Sequence, residues 1–492
     1  MQATNENLRA KAVRGGAISM TAQVAVILIQ MASIVILSRI LRPEDFGVIA
    51  MILAITAFVG LFRDMGLSTA SIQKTDLTRE QASALFWFNL LVGGVLMMLV
   101  MALAPIIAWF YKRPELTQVC IAISTTFIIA SAGAQHAALL QRELRFKPKA
   151  IADVCGAVVN LLVSILLALK GMRFWALAWG TVFGALTTTL LYLLLSGFKP
   201  VRPQAATGLR QIFGFGANVT AFELLNYFSR NLDSILIGKL WGAEQLGFYS
   251  RAYQMMMLPI TSLRTPINAV AFPVLSRLQH DQVGFRRYYC RIASLLAFLS
   301  MPMMGFLTVK SEQVVEIALG REWIEVAPVF ALLGVTGFIQ PVASLRGLVL
   351  LSLGKSRRYL AWGGINAITV TIAFCIGIRW GNIGIAWAYL IVNYALIYPS
   401  LLFIFNQTPL RPRDFFDSIK LPFLASVVAI IIVFFWPSRW KTDQMITQTI
   451  IDATVFAAAF LGTYAVSKIG RDTIAGYLRL LSTLKPNLTL SK

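Results

Sequence analysis

The sequence predicts an all-α, polytopic membrane protein of about 14 transmembrane helices, with two six-helix lobes in parallel repeat and two further C-terminal helices. Three observations predict this fold. First, 57% of the 492 residues are hydrophobic and only 13% are charged, against roughly 25% charged residues in soluble domains. Second, apolar runs of about 20 residues, the length needed to span a bilayer, recur from end to end. Third, the two halves of the chain show a weak internal repeat.

Each apolar run is predicted to be a helix, because backbone polar groups in the hydrocarbon core must be satisfied within the segment. The first run is expected to be retained, since the preceding MQATNENLRAKAVRGG resembles no cleavable signal peptide. The predicted spans are 15–38, 46–62, 82–110, 116–140, 150–169, 174–197, 211–238, 246–263, 288–309, 325–350, 359–378, 382–405, 420–436 and 446–466.

The formal net charge of +22 fits membrane topology better than nucleic-acid binding. If the N-terminus is cytoplasmic, the inside segments hold 29 Lys and Arg residues and the outside loops hold 12. Such a bias predicts that both termini are cytoplasmic. A nucleic-acid binder would instead concentrate its positive charge on one water-exposed module.

The repeat has an offset of 200 residues. Gly16-Ala17 aligns with Gly216-Ala217, and Glu44 and Gly47 align with Glu244 and Gly247. Each copy contains six predicted helices, and an even number means that both copies enter the membrane from the same side. We therefore predict an N-terminal lobe over 1–200, a C-terminal lobe over 201–406, and two additional helices with a tail over 407–492.

A polar stripe on the seventh predicted span is the strongest site signal. Glu223, Asn226, Arg230 and Asp233 follow at i, i+3, i+7 and i+10, and so share one helix face. Polar and charged side chains inside a span usually face a protein interior or a wet cavity. Through the repeat, the stripe corresponds on the first span to Gln23, Val26, Gln30 and Ser33. We expect both stripes to line a shared cavity; alternatively, Arg230 pairs with Asp233 or Glu223 and only stabilises the bundle.

Two more arginines, Arg251 and Arg346, fall within predicted spans. Either could bind a phosphate group in the cavity through the guanidinium fork, or could lie near a helix end with its charge in the interface. No cofactor or metal is predicted. The chain has only two histidines, and its four cysteines lack metal-ligand spacing and fall in or beside apolar runs.

Several segments in order resemble the polysaccharide flippases of the multidrug/oligosaccharidyl-lipid/polysaccharide exporter superfamily, and most of all its colanic-acid exporter branch (Wzx-type). They are LSRILRPEDFGVIA, RDMGLSTASIQ, ALLQRELRFKPKAI, FGFGANVTAFELLNYFSRNLDSILIGKLWGAEQLGFYSRAY, AFPVLSRLQ and ALGREWIEVAPVFALL. The resemblance covers nearly the whole chain except the last two helices. It implies two lobes around a central cavity lined by the first and seventh helices.

The resemblance also implies a function: transfer of undecaprenyl-pyrophosphate-linked sugar repeat units from the cytoplasmic to the periplasmic leaflet of a bacterial inner membrane. Its implied partners are the lipid-linked oligosaccharide, membrane lipids, a polysaccharide polymerase and other assembly proteins. One alternative is a cation-coupled multidrug antiporter of the same superfamily, with Glu223 or Asp233 as the titrating carboxylate. A membrane glycosyltransferase or polymerase is disfavoured, because the longest outside loop, 310–324, is short.

Overall fold

The protein is all-α in the part described by the structure, a computed structural model. The described residues are 2–64, 71, 77–202, 209–436, 445–468, 470–473 and 475–476, with side chains at all of them except 2–14, 64, 209–226 and 228–230. They form no strand. The helices are α1 Gln2–Ser38, α2 Pro43–Asp64, α3 Arg79–Tyr111, α4 Leu116–Arg142, α5 Phe146–Leu169, α6 Phe174–Ser196, α7 Leu209–Arg277, α8 Gln282–Val309, α9 Ser311–Ala318, α10 Val326–Ser352, α11 Ser356–Gly377, α12 Gly381–Ala395, α13 Ile397–Phe405, α14 Pro412–Phe435 and α15 Met445–Val466.

Eleven helical segments in this part of the chain are long and apolar enough to cross a membrane. One of them, 356–405, contains two predicted spans, while α7 contains the seventh and eighth predicted spans. The predicted fold class, a polytopic α-helical membrane protein, is confirmed. The number 14 stays a prediction.

Several helices extend beyond their predicted bounds: α8 begins at Gln282 and α14 at Pro412, where the predicted spans begin at 288 and 420. The eighth predicted span ends at 263, but α7 continues to Arg277, because a helix remains stable in water beyond its apolar stretch when its surroundings support it. The predicted outside loop 310–324 contains α9 and a 3-10 helix, Arg321–Trp323. α9 has eight residues and the 3-10 helix has three, so both are too short to span a membrane.

The chain packs into two compact units. The first comprises 1–251, 318–326 and 363–388, and the second comprises 252–317, 327–362 and 389–492. The predicted lobes, divided at 200 and 406, stay a prediction.

Small residues let helices approach closely in the first unit. α5 packs along α6, and a Cβ on Gly184 would lie 3.0 Å from the carbonyl oxygen of Gly156. Such close backbone contact is a common way to associate helices in membranes. α4 packs against α3 and α6, and α1 packs against α5.

Apolar packing joins α8, α14 and α15 in the second unit. Phe298 of α8 contacts Phe460 and Tyr464 of α15, with ring centroids 5.4 and 5.1 Å apart. Lys310, directly after α8, forms a 2.7 Å ion pair with Asp452 of α15. The last helix is therefore fixed to α8 by both apolar and ionic contacts.

Candidate functional site

The predicted polar stripe lies on the first arm of α7, the residues before Gly242. The backbone is helical throughout 223–233, so Glu223, Asn226, Arg230 and Asp233 share a face. The side chains of the first three lie outside the described residues. Asp233 is buried, and its carboxylate accepts hydrogen bonds from the Tyr249 hydroxyl at 2.8 Å and from the Ser234 N–H at 2.7 Å.

A break at Gly242 brings Tyr249 to Asp233. Gly242 has φ +86° and ψ −178° and separates the first arm of α7 from its second arm, 243–277. Glycine is the residue that tolerates this conformation without steric cost. Tyr249, on the second arm, can therefore bond a carboxylate on the first. Spacing along one helix did not reveal Tyr249 as part of the site; the isolated Gly242 after the seventh span was the available signal.

Of the corresponding residues of α1, Gln23 and Gln30 are exposed, while Val26 and Ser33 are half-buried. Gln23 and Gln30 lie on the same side of the helix and outside its packed face. Only 11% of the apolar stretch of α1 that could span a membrane is buried inside the protein. That these side chains line a cavity, and that the two stripes face each other, stays a prediction.

Two segments that the predicted repeat aligns meet in a reciprocal helix crossing. A Cβ on Gly47 would overlap the carbonyl oxygen of Ala243, and a Cβ on Gly247 would overlap the carbonyl oxygen of Pro43. Positions 43 and 47 correspond to 243 and 247 through the offset of 200. The same backbone contact is therefore made twice with exchanged roles, as a pair of related elements about a local two-fold axis would make it.

An aromatic cluster surrounds this crossing. The guanidinium carbon of Arg251 lies 3.7 Å from the ring centroid of Phe46, a cation–π geometry. Phe46 also packs edge-to-face on Trp323, with centroids 5.3 Å apart. Trp323 is fully buried, and its indole N–H donates to the carbonyl oxygen of Ser38 at 2.7 Å. Arg251, predicted as a phosphate ligand, thus lies at the crossing and stacks on an aromatic ring.

An ion-pair network holds the start of α2 to neighbouring helix connections. Glu44 binds Arg113 at 2.5 Å and Arg173 at 3.0 Å, while buried Asp45 accepts from Arg173 at 3.1 Å and from the Arg42 N–H at 3.2 Å. Arg113 and Arg173 follow α3 and precede α6, respectively. The network joins the connections α1–α2, α3–α4 and α5–α6, which the predicted topology places on the periplasmic side.

Arg346 lies on α10 in the second unit. Its Nε–H donates to the carbonyl oxygen of Ala343 at 2.7 Å, and its guanidinium also contacts the Ser400 hydroxyl. No carboxylate within the described residues lies within ion-pair distance of it. An intramembrane cation with only neutral partners retains capacity for an anion.

The second unit also contains an apolar cavity of about 310 Å³. Phe338 of α10 and Phe423, Val427 and Ile430 of α14 contribute to its walls. Such a lining suits a hydrocarbon chain. Within the described residues, no group of three or more His, Cys, Asp or Glu side chains is placed to hold a metal ion.

The chain is similar to bacterial proteins of surface-polysaccharide synthesis. It is 26% identical over 427 residues to the teichuronic acid biosynthesis protein TuaB of Bacillus subtilis, covering 86% of this chain and 88% of that protein. It is 26% identical to the lipopolysaccharide biosynthesis protein WzxC of Escherichia coli, covering 87% of each. It is 23% identical to the succinoglycan biosynthesis transport protein ExoT of Rhizobium meliloti, covering 88% and 90%.

Solved structures share the fold. The lipid II flippase MurJ in an inward closed conformation superposes with a TM-score of 0.77 at 13% identity, covering 93% of this chain and 100% of that one. An inward-facing multidrug transporter of the MATE family gives a TM-score of 0.59 at 14% identity, covering 77% and 94%.

The family described as "Polysaccharide biosynthesis protein" matches residues 36–328, more than half of the chain, and confirms the resemblance predicted from the motifs. The chain is a multi-pass membrane protein, and it belongs to this polysaccharide biosynthesis family.

Proposed function

We propose that the protein is a flippase that moves undecaprenyl-pyrophosphate-linked oligosaccharide repeat units from the cytoplasmic to the periplasmic leaflet. The units would serve exopolysaccharide, capsule or O-antigen assembly. The observation that carries the proposal is the family match over residues 36–328. The superposition of 93% of this chain on the whole of a lipid II flippase supports it, since that fold accommodates a lipid-linked substrate.

The cation-coupled multidrug antiporter remains the second candidate, because MATE transporters share the fold. The relatives favour the first proposal: TuaB, WzxC and ExoT are all named for polysaccharide synthesis, and ExoT for transport. The TM-score is also higher for the lipid II flippase than for the MATE transporter, 0.77 against 0.59.

Within this proposal, the substrate cavity is lined by Arg230, Glu223, Asn226, Asp233, Gln23, Gln30, Arg251 and Arg346. The pyrophosphate needs charge-assisted hydrogen-bond donors. Arg346 has only neutral partners among the described residues, so its remaining N–H groups can donate to a phosphate oxygen. The prenyl chain needs an apolar surface, and the 310 Å³ cavity beside α14 provides one. The protein resides in the bacterial inner membrane with both termini cytoplasmic, beside a polymerase and other assembly proteins.

Deleting the gene tests the function. We expect surface polysaccharide to disappear and lipid-linked repeat units to accumulate in the cytoplasmic leaflet, where an impermeant periplasmic probe cannot label them. A strain with normal polysaccharide and lost resistance to cationic drugs would support the antiporter instead.

Arginine variants test the cavity. Arg230→Ala and Arg346→Ala should each reduce export while membrane abundance stays normal, and the lysine variants should recover only part, because an ammonium retains the charge without the fork. A lost charge-assisted hydrogen bond is worth roughly 1.5–3 kcal/mol. If Arg230→Ala lowers abundance and a paired Asp233→Ala restores abundance and export, Arg230 is a structural residue.

A further inference from the structure

A second cavity, of about 690 Å³, lies in the second unit where α8 and α14 begin. Its volume falls in the range of small-molecule sites. Six charged side chains line it, three basic and three acidic. They are Arg286, Arg287 and Arg291 of α8, Asp414 and Asp417 of α14, and Asp472 from the helical residues 470–473.

One pair of these residues already has a structural role. The Arg286 Nε–H donates to Asp414 at 2.9 Å, and the Asp414 carboxylate also accepts from the Arg411 N–H at 2.8 Å. Asp414 is buried, so this pair forms part of the cavity wall.

The other four charges are exposed and available. Arg287, Arg291, Asp417 and Asp472 make no hydrogen bond or ion pair with any residue that the structure describes. Arg287 and Arg291 are four residues apart and lie on the same face of α8. The cavity therefore offers two cations and two carboxylates that hold no hydrogen bond or ion pair with a described residue.

The hydropathy of α8 and α14 predicts that the cavity lies at the depth of lipid headgroups. From Arg286 to Arg291, α8 rises about 7.5 Å, and the headgroup layer on each side of the hydrocarbon is about 5–7.5 Å thick. The apolar stretches of α8 and α14 begin directly afterwards, at Ile292 and Leu421. In the predicted topology this is the cytoplasmic surface.

We propose that this cavity binds the phosphoethanolamine headgroup of a membrane phospholipid. Arginine forks match phosphate oxygens, and the two carboxylates accept hydrogen bonds from a primary ammonium, which has three donors. An anionic headgroup such as phosphatidylglycerol would leave the carboxylates without a cation. The quaternary ammonium of phosphatidylcholine carries the charge but has no N–H to donate. The site is separate from the proposed transport cavity and does not depend on the identity of the transported substrate.

Lipid-dependent stability of the full-length protein tests this proposal. Dioleoyl phosphatidylethanolamine, phosphatidylcholine and phosphatidylglycerol are each added to delipidated protein in detergent, and Tm and bound lipid (by native mass spectrometry) are measured. We expect phosphatidylethanolamine to raise Tm most and to remain bound. Arg287→Ala/Arg291→Ala should weaken its apparent affinity about tenfold or more. Asp417→Asn/Asp472→Asn should remove its advantage over phosphatidylcholine.

A matched control keeps the interpretation specific. Arg413 and Lys420 are exposed on α14 but do not line the cavity, so Arg413→Ala/Lys420→Ala removes the same charge and should leave the lipid effect unchanged. Each variant is compared with itself without lipid, and Arg287→Gln/Arg291→Gln, which retains polarity, replaces the alanine pair if that pair does not fold. Equal effects of all three lipids on the wild type would overturn the proposal. A preference for phosphatidylglycerol would overturn it too, and would indicate a site for anionic lipid only.

Discussion

A carboxylate inside an apolar helix needs hydrogen-bond donors, and Asp233 has two among the described residues. The Tyr249 hydroxyl and the Ser234 N–H each reach one of its oxygens, and both bonds are strengthened by the carboxylate charge. Because Asp233 and Tyr249 lie on opposite sides of Gly242, their bond also connects the two arms of α7.

Tyr249→Phe should therefore destabilise the protein. The substitution removes one donor from a buried carboxylate, which costs about 1–3 kcal/mol. Tyr398→Phe is the matched control, since Tyr398 is 56% exposed and its hydroxyl is not required to satisfy a buried group. Measured in detergent, Tm should fall for Tyr249→Phe alone. Equal values for the two variants would mean that water replaces the hydroxyl at no cost.

At Gly47 and Gly247, we expect substitution by alanine to destabilise the helix, the opposite of its usual effect. In a helix, alanine is normally favoured over glycine by about 1 kcal/mol. At these two positions a Cβ would overlap a backbone carbonyl oxygen of the crossing helix, and overpacking costs about 1–3 kcal/mol. Gly47→Ala should lower Tm, while Gly364→Ala, which has open space around its Cβ, should leave Tm unchanged or raise it.

The double variant tests whether the crossing is one contact. Once Gly47→Ala has separated the helices, Gly247→Ala should add little, because contacting residues are not additive. Additive losses of Tm would indicate two independent contacts.

For single residues, the sequence predicted which side chains share a helix face, but not which residues those side chains contact. The stripe spacing placed Asp233 beside Arg230, whereas its described donors are Tyr249 and Ser234. The repeat aligned Gly47 with Gly247 without indicating that both touch backbone. Partners across a helix break or a helix crossing are set by tertiary packing, which residue spacing does not encode.

Helices were predictable as elements because the bilayer demands long apolar runs, and nearly every predicted span overlies an observed helix. Their ends were less predictable. Hydropathy marks where a helix leaves the hydrocarbon, whereas the hydrogen-bonded backbone of α7 continues to Arg277. At Gly242 the observed helix is longer than predicted for another reason. The predicted spans leave a loop over 239–245, but the residue of this loop with non-helical backbone angles is Gly242.

The attachment of α15 to α8 depends on a sheltered ion pair. Asp452 is 3% exposed and Lys310 15%, and the Gln448 amide also donates to Asp452 at 2.9 Å. Removing one partner of a buried pair costs about 3–5 kcal/mol, while replacing both with apolar residues is often neutral. Asp452→Ala should therefore lower Tm strongly, and Lys310→Met/Asp452→Leu should recover most of the loss.

Limited proteolysis locates that effect. If α15 detaches, cleavage in Asp452→Ala should concentrate between α14 and α15, and the double variant should resist it. Uniform cleavage along the chain would contradict a role specific to the last helix.

The charge distribution predicts the orientation of the whole molecule. Inside segments hold 29 basic residues and outside loops hold 12, and such a bias places the richer side in the cytoplasm. Alkaline phosphatase, which is active only in the periplasm, should be inactive when fused after Lys492 and active when inserted in the 438–443 connection. A cytoplasmic reporter at the same two sites should give the opposite signals and serves as the expression control.

If phosphatase were active after Lys492 and inactive in the connection, the Glu44 network would lie in the cytoplasm. The cavity between α8 and α14 would then face the outer leaflet, and the proposed direction of lipid transfer would have to be reversed.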